Sequence, residues 1–271
     1  MRYPTIMTIA GSDSCGGAGI QADIKTISSL GGYACSAITA LTSQNTTGVR
    51  SIQGTQIDVM RDQIDAVFDD MIIDAVKSGM LFSKNIAEVV AESLEKYKPT
   101  FYVLDPVMIS TSGSRLIEVD AIDYIKNNLF KSATLITPNI PETETLTGIK
   151  IKTPDDMPKA AEILYETGCK AVLIKGGHLD GNESVDILFE QGKSGYAVKS
   201  KFVNTQNTHG TGCTLSSAIA TYLALGENLK DAFIHAHDYI YNAIYYGKDV
   251  EQGKGHGPVN HFWNPKTLKT F

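Results

Sequence analysis

Short apolar runs alternate with amphipathic stretches along the whole chain. Ile6 to Ala10 predicts a strand, and Ile20 to Leu30 predicts a helix with Ile20, Ile24, Ile27 and Leu30 on one side. Tyr33 to Leu41 predicts a strand ending in a loop, Thr42 to Gly48. Val59 to Phe68 predicts a helix, Ala75 to Met80 a strand and turn, and Ile86 to Lys96 a second helix. Phe101 to Pro106 is the clearest buried strand of the first half, followed by a loop, Val107 to Arg115, and a helix, Val119 to Leu129. The strand Ala133 to Thr137 meets a tight corner, Pro138 to Glu142. Asp155 to Gly168 predicts a helix with Pro158 tolerated in its first turn. Ala171 to Lys175 is a strand that ends in Lys175-Gly-Gly-His178. Ser184 to Glu190 and Tyr196 to Phe202, split by Gln191-Gly192, have hairpin spacing. A helix follows Asn207-Thr-His-Gly-Thr-Gly-Cys213, and a last one spans about Leu229 to Tyr246.

Alternating strands and helices, with polar or glycine-rich corners after the strands, predict an α/β fold. The expectation is one three-layer domain over residues 1–271, with a largely parallel sheet and a short antiparallel edge. No Pro/Ser-rich linker, repeat or low-complexity stretch divides the chain.

Composition narrows the partners. A net charge of -6 without a basic stripe disfavours nucleic acid. The first residues lack a signal-peptide apolar run and no stretch approaches a membrane span, so the expectation is a cytoplasmic protein. The four cysteines are scattered without a C-x-x-C pair, which argues against structural zinc or a disulfide framework.

The chemistry concentrates at the corners. Gly210-Thr-Gly212 opening a helix turns backbone N–H groups into one concavity, backed by the positive end of the helix dipole. That is a seat for phosphate, or else a glycine-softened loop before a core helix. Gly11 to Gly19, between a strand and a helix, matches neither the dinucleotide fingerprint nor the Walker loop, since no lysine follows its last glycine. Asp13 and Asp23 either orient a polar substrate or form a turn contact and a solvated face. Gln44 offers a carbonyl and an amide to the edge of a heteroaromatic ring, or is a surface amide. Met80 is a wall for a flat ring or a core methionine.

Asp105 at a strand end and Glu142 in the Pro/Asn/Glu corner suit metal-bound water, and Asn139 suits a phosphate; helix capping is the competing account. Lys175 suits negative charge, or snorkels to water. Cys213 at a helix start either accepts or holds an acceptor hydroxyl, acts as a covalent nucleophile with His209 as a weak base, or is inert. An anion cradle, a cation and carboxylates behind neutral polar groups are the parts that phosphoryl transfer needs.

Together these segments closely resemble the hydroxymethylpyrimidine/phosphomethylpyrimidine kinases of thiamine biosynthesis, within the ribokinase superfamily. The match runs through Thr8 to Thr26, Gln44-Asn-Thr46, Lys77-Ser-Gly-Met80, Asp105-Pro-Val-Met108, Ile136-Thr-Pro-Asn139, Lys175-Gly-Gly-His178, Asn207 to Thr214 and Gly255-His-Gly-Pro-Val259. The resemblance implies a ribokinase-like α/β/α sandwich without a separate lid domain, and a homodimer. It implies an ATP- and Mg2+-dependent kinase that phosphorylates 4-amino-5-hydroxymethyl-2-methylpyrimidine and then its monophosphate. It assigns Gln44 to the pyrimidine edge, near Gly11, Met80 and Val107, with Asp23 and His209 also on the substrate side. Cys213 falls where sugar kinases of the superfamily carry a catalytic Asp, beside Gly210, Thr211, Gly212 and Lys175. Asn139, Glu142, Lys175 and Thr205 fall to the nucleotide, and Asp105 and Glu142 to its metal. A pyridoxal kinase, sharing the phosphate machinery and a flat ring alcohol, is the alternative enzyme. A noncatalytic binding protein is the alternative class, opposed by joint retention of Lys175, the glycine turn and Cys213.

Overall fold

The computed structural model describes residues 1–109, 116–177 and 183–271. Residues 110–115 of the expected loop, and His178, lie outside the described residues. Nine strands form one sheet: β1 Thr5–Asp13, β2 Tyr33–Asn45, β3 Gly48–Gly54, β4 Ala75–Ser78, β5 Phe101–Leu104, β6 Leu135–Ile136, β7 Ala171–Ile174, β8 Glu183–Glu190 and β9 Tyr196–Lys201. Their order is β3-β2-β1-β4-β5-β6-β7-β8-β9. From β2 to β7 every neighbouring pair is parallel. The β8–β9 hairpin adds the expected antiparallel edge.

Alternation along the strands explains the layers. Ile6 of β1, Val103 of β5 and Leu173 of β7 point to one face, where they pack with helices α1 (Gly19–Ser29), α7 (Thr211–Ala224) and α8 (Leu229–Gly247). Met7, Ile9, Tyr102, Leu104, Val172 and Ile174 point to the other, against α2 (Ile57–Phe68), α3 (Lys84–Tyr97), α4 (Val119–Asn128) and α6 (Met157–Tyr165). Side chains of adjacent residues leave opposite faces of a sheet, so near-continuous apolar runs serve two cores at once. No helix among the described residues is long and apolar enough to cross a membrane.

One element departs from the sequence expectation, and at a second the capping account is the one the structure shows. The segment Thr42 to Gly48 is not a loop: β2 runs on to Asn45 and returns as β3, a second antiparallel edge. Asn45 makes the turn, its Oδ1 accepting from Thr47 N at 2.9 Å and Thr47 Oγ1 at 2.7 Å. The Pro/Asn/Glu corner opens a helix, α5 (Ile140–Thr147). Asn139 Oδ1 accepts from Glu142 N at 2.9 Å and Glu142 Oε2 accepts from Asn139 N at 2.8 Å, a reciprocal cap.

The parallel register puts the carboxyl ends of β1, β2, β4, β5, β6 and β7 along one edge of the sheet. Asp13, Gln44, Met80, Asp105, Asn139 and Lys175 all sit at or just past those ends. Open α/β sheets hold ligands at this edge.

Candidate active site

One cavity of about 570 Å³ runs along that edge. Gly11, Gln44, Met80, Asp105, Val107, Asn139, Glu142, Lys175, His209, Gly210, Thr211, Gly212 and Cys213 all line it. Asp23 and Thr205 do not.

The cradle is built by close approach. Gly210 precedes α7 with φ 85°, a left-handed conformation, and a Cβ there would collide with the Gly17 carbonyl. The loop after β1 and the loop before α7 therefore pack backbone to backbone, and α7 starts with its free N–H groups at the cavity. A Cβ on Gly212 would stand 3.3 Å from Lys175 Nζ and 3.5 Å from Asp105 Oδ2. The cradle and the charged wall thus share one space.

That wall is a triad. Lys175 Nζ donates to Asp105 Oδ1 at 2.8 Å, and Thr137 Oγ1 donates to the same oxygen at 3.0 Å. Among the described residues Asp105 Oδ2 is reached only by Ser216 Oγ, at 3.4 Å, which leaves that oxygen with spare capacity. Burial opposes charge on Asp105, but the Lys175 and Lys77 ammonium groups outweigh it and hold its pKa below the ordinary range. Burial likewise opposes charge on Lys175, and Asp105 and Glu142 overcome it, raising that pKa. Glu142 is the odd member: burial, reinforced by the Asp105 charge, pushes it up to about 7 against the pull of Lys175.

On the opposite side Asp13 fastens the two glycine loops. Its Oδ2 accepts from Gly17 N at 2.9 Å, Ala18 N at 2.8 Å and His209 Nε2 at 2.9 Å, and its Oδ1 accepts from Cys15 N at 3.0 Å. Burial disfavours the carboxylate, yet the His209 and Ala18 hydrogen bonds prevail and bring its pKa down to about 2. The ligand atoms of Asp13, Cys15 and His209 lie within 4.8 Å of one another, a spacing that a metal could use. With Asp13 already committed to five hydrogen bonds, the Cys15 thiol at 3.4 Å among them, the cluster is a latch. The Gln44 amide lies 3.3 Å from the same His209 ring nitrogen. Met80 lies over Gly11, where a Cβ would strike its methyl group, so a larger residue at 11 would push that methyl group aside.

Cys213 lies in the first turn of α7, where a helix N-terminus favours a thiolate, but here burial dominates and the Asp23 and Asp105 charges add to it. Together they push the thiol up to about 11 despite Lys77 and the Gly19 N–H. At neutral pH the group facing the cavity is the thiol.

Two assigned residues sit elsewhere. Asp23 is wholly buried, held by Lys77 Nζ at 2.9 Å to both oxygens, by Thr8 Oγ1 at 2.5 Å and by Ser217 Oγ at 2.6 Å. It braces the sheet beneath α7 and is not part of the cavity wall. Thr205 Oγ1 donates to Lys248 O at 2.9 Å and accepts from Asn207 N at 3.1 Å, bracing the loop before the cradle. The C-terminal glycine/histidine segment supports the same loop. Asn207 Nδ2 donates to Gly247 O at 2.8 Å and Val250 O at 2.7 Å, and His209 N donates to Gly257 O at 3.0 Å. The cluster of glycines around Pro258 was its only signal in the sequence. Asp186 and His237 also line the cavity, without any local motif that marks them.

A nine-stranded, mostly parallel sheet between helical layers, with an anion cradle facing a lysine at its carboxyl edge, is the ribokinase-like architecture. The family model for phosphomethylpyrimidine kinase matches residues 13–260. The chain belongs to that family. It is 44% identical over 257 residues to the hydroxymethylpyrimidine/phosphomethylpyrimidine kinase of Bacillus subtilis, covering 94% of each chain. It is 49% identical over 257 residues to a thiamine biosynthesis bifunctional protein of Geobacter sulfurreducens, covering 95% of this chain but 52% of that protein. The chain therefore spans about half the length of that bifunctional relative. Among solved structures, phosphomethylpyrimidine kinase from Clostridium difficile is 47% identical with a TM-score of 0.78, covering 89% of this chain and 99% of that one. Pyridoxal kinase from Staphylococcus aureus, in complex with AMP-PCP and pyridoxal, is 33% identical with a TM-score of 0.87, covering 97% and 94%.

Proposed function

We propose that the chain transfers the γ-phosphoryl group of ATP to the hydroxymethyl oxygen of 4-amino-5-hydroxymethyl-2-methylpyrimidine, and then phosphorylates the monophosphate to the diphosphate. The observation that carries this reading is the shared cavity of Gln44 and Cys213. Neutral groups that suit a flat ring lie on one side and the phosphate machinery on the other. Gln44 reads the ring edge, Met80 and Val107 cover the ring faces, and the hydroxyl meets Cys213 at the start of α7. The N–H groups of Gly212 and Cys213 and the Lys175 ammonium face the oxygens on which charge collects during transfer.

The donor set suits Mg2+. Asp105 Oδ2 has spare capacity among the described residues, Glu142 lines the same cavity, and burial first and the Asp105 charge second raise the Glu142 pKa, both of which a bound cation would offset. Asp105 and Glu142 would hold the ion, which when bound neutralises charge on the donor phosphates. In a loose transition state the acceptor proton leaves late, so a strong base is not required. A neutral Cys213 thiol fits that demand: it holds the acceptor hydroxyl in line and leaves proton removal to the phosphate itself. The reading carries a cytoplasmic homodimer with it, on the family resemblance; light scattering at twice the chain mass would support the dimer.

The similarity to a pyridoxal-binding kinase favours vitamin B6 phosphorylation as the second reading. One methyl- or amide-sized contact separates such rings by only about 1–3 kcal/mol. A product-resolved assay decides it: ATP is offered with the pyrimidine alcohol, its monophosphate and pyridoxal in turn. Appearance of the pyrimidine diphosphate supports the proposal, and phosphorylation of pyridoxal alone overturns it.

A further inference from the structure

The cavity extends past the phosphate machinery to a carboxylate with work left undone. Asp186 lies on β8, the neighbour of β7, and is buried on the cavity wall. Its Oδ1 accepts from Gly176 N at 2.8 Å, which ties it to the residue directly after Lys175. Its Oδ2 has no hydrogen-bond donor among the described residues; His237 Nε2 lies 3.7 Å away. Burial is the main influence on both groups, raising the Asp186 pKa and lowering that of His237. A buried carboxylate oxygen without a donor is an acceptor waiting for a ligand.

The surroundings say which part of a ligand arrives there. Gln44 on β2 and Asp186 on β8 are six strands apart in the sheet order, so Asp186 stands at the end of the cavity remote from the ring-reading amide. From His237, Ile240, Tyr241 and Ile244 continue along one face of α8 into the same cavity. Beyond the phosphate-facing lysine the wall is therefore polar first and apolar afterwards. A nucleotide laid out from its phosphates presents a sugar and then a base in the same order.

We propose that Asp186 is the acceptor for a sugar hydroxyl of the phosphate-donating nucleotide, with Oδ2 taking the hydroxyl hydrogen while Oδ1 stays on Gly176. His237 offers its ring nitrogen to the adjacent hydroxyl. This assignment rests on the nucleotide-dependent reading above. It makes one residue responsible both for the turn that carries Lys175 and for recognition of ribose.

Calorimetric titration of ADP, 2′-deoxy-ADP and 3′-deoxy-ADP into the full chain tests it, with the pyrimidine alcohol as a control for folding. The wild type binds ADP about tenfold more tightly than at least one deoxy analogue, the loss expected for one buried hydrogen bond. Asp186→Ala binds ADP and that analogue within twofold of each other, and Asp186→Asn falls between, while pyrimidine binding is unchanged in both. Should the alanine variant fail to fold, the asparagine variant carries the test through its reduced ratio. A wild-type ratio that persists in both variants overturns the assignment, as does a wild type indifferent to either hydroxyl. A wild type that binds no adenine nucleotide at all defeats the kinase reading itself.

Discussion

Two lysine–aspartate pairs stand beneath the cradle, and they differ in what they leave unused. Lys77 and Asp23 are wholly buried at 2.9 Å, and Thr8 and Ser217 take up the remaining capacity of the carboxylate. Lys175 and Asp105 meet at 2.8 Å with the lysine side chain 13% exposed, and among the described residues one Asp105 oxygen is held only by Ser216 at 3.4 Å. The Asp23 carboxylate has no capacity left and the pair is out of solvent, so it can only hold the sheet to α1 and α7. The second has an ammonium on the cavity and an oxygen to spare, so it can answer a ligand. Residual hydrogen-bonding capacity at a wall, more than burial or the presence of charge, separates a site from a brace.

The comparison breaks most visibly at the closed pair. Removing one partner strands a buried charge, so Lys77→Met or Asp23→Ala should lose about 3–5 kcal/mol in urea unfolding. The double change Lys77→Met with Asp23→Leu should recover much of that loss; a double variant no more stable than either single one contradicts the saturated-pair account. At the open pair the effect moves from stability to rate. Lys175→Met should lower kcat/KM by about 100- to 1000-fold, near 3–4 kcal/mol of transition-state stabilisation, with a smaller stability loss than Lys77→Met. Equal stability losses at the two lysines would erase the distinction.

A third carboxylate sharpens it through pH. Asp13 titrates at about 2 in the fold against an ordinary 3.8, so it binds its proton less readily when folded. Its contribution, about 2 kcal/mol, is present above pH 4 and is lost as pH falls toward 2. Asp13→Asn should therefore trail the wild type at pH 7 and converge on it in acid. The smallest changes concern the two ends of the acceptor. Cys213→Ala should reduce turnover about tenfold with little change in pyrimidine affinity, and Cys213→Ser should restore part of it. Gln44→Ala should instead weaken pyrimidine binding about tenfold. With the thiol at about 11, Cys213 should contribute no limb to the pH–rate profile between pH 6 and 9. Such a limb, abolished in the serine variant, would restore the thiolate.

The layers of the fold and most of the cavity wall were legible because they follow from local pattern. Apolar runs announce β1, β5 and β7, and glycines before an apolar helix announce the cradle. The β2–β3 hairpin was hidden by Thr42 to Asn45, polar residues that read as a loop until the edge strand pairs with them. Helix α5 was hidden by brevity and by Pro141, although its capping residues were in view. Asp23 was misplaced because its partner, Lys77, lies 54 positions away, and the Asp13–His209 latch joins residues 196 apart. Thr205 was misplaced for a similar reason, since its acceptor belongs to Lys248. Asp186 carries no motif at all; its meaning appears only once β8 is laid beside β7.

The most direct test of the central claim is a crystal structure with the pyrimidine alcohol and AMP-PCP bound together. The account predicts the ring edge on Gln44, the hydroxymethyl oxygen beside Cys213 Sγ, and that oxygen about 3–3.5 Å from the γ-phosphorus, a near-attack arrangement. A ring bound away from Gln44, or a γ-phosphate seated outside the Gly210–Gly212 turn, would contradict it.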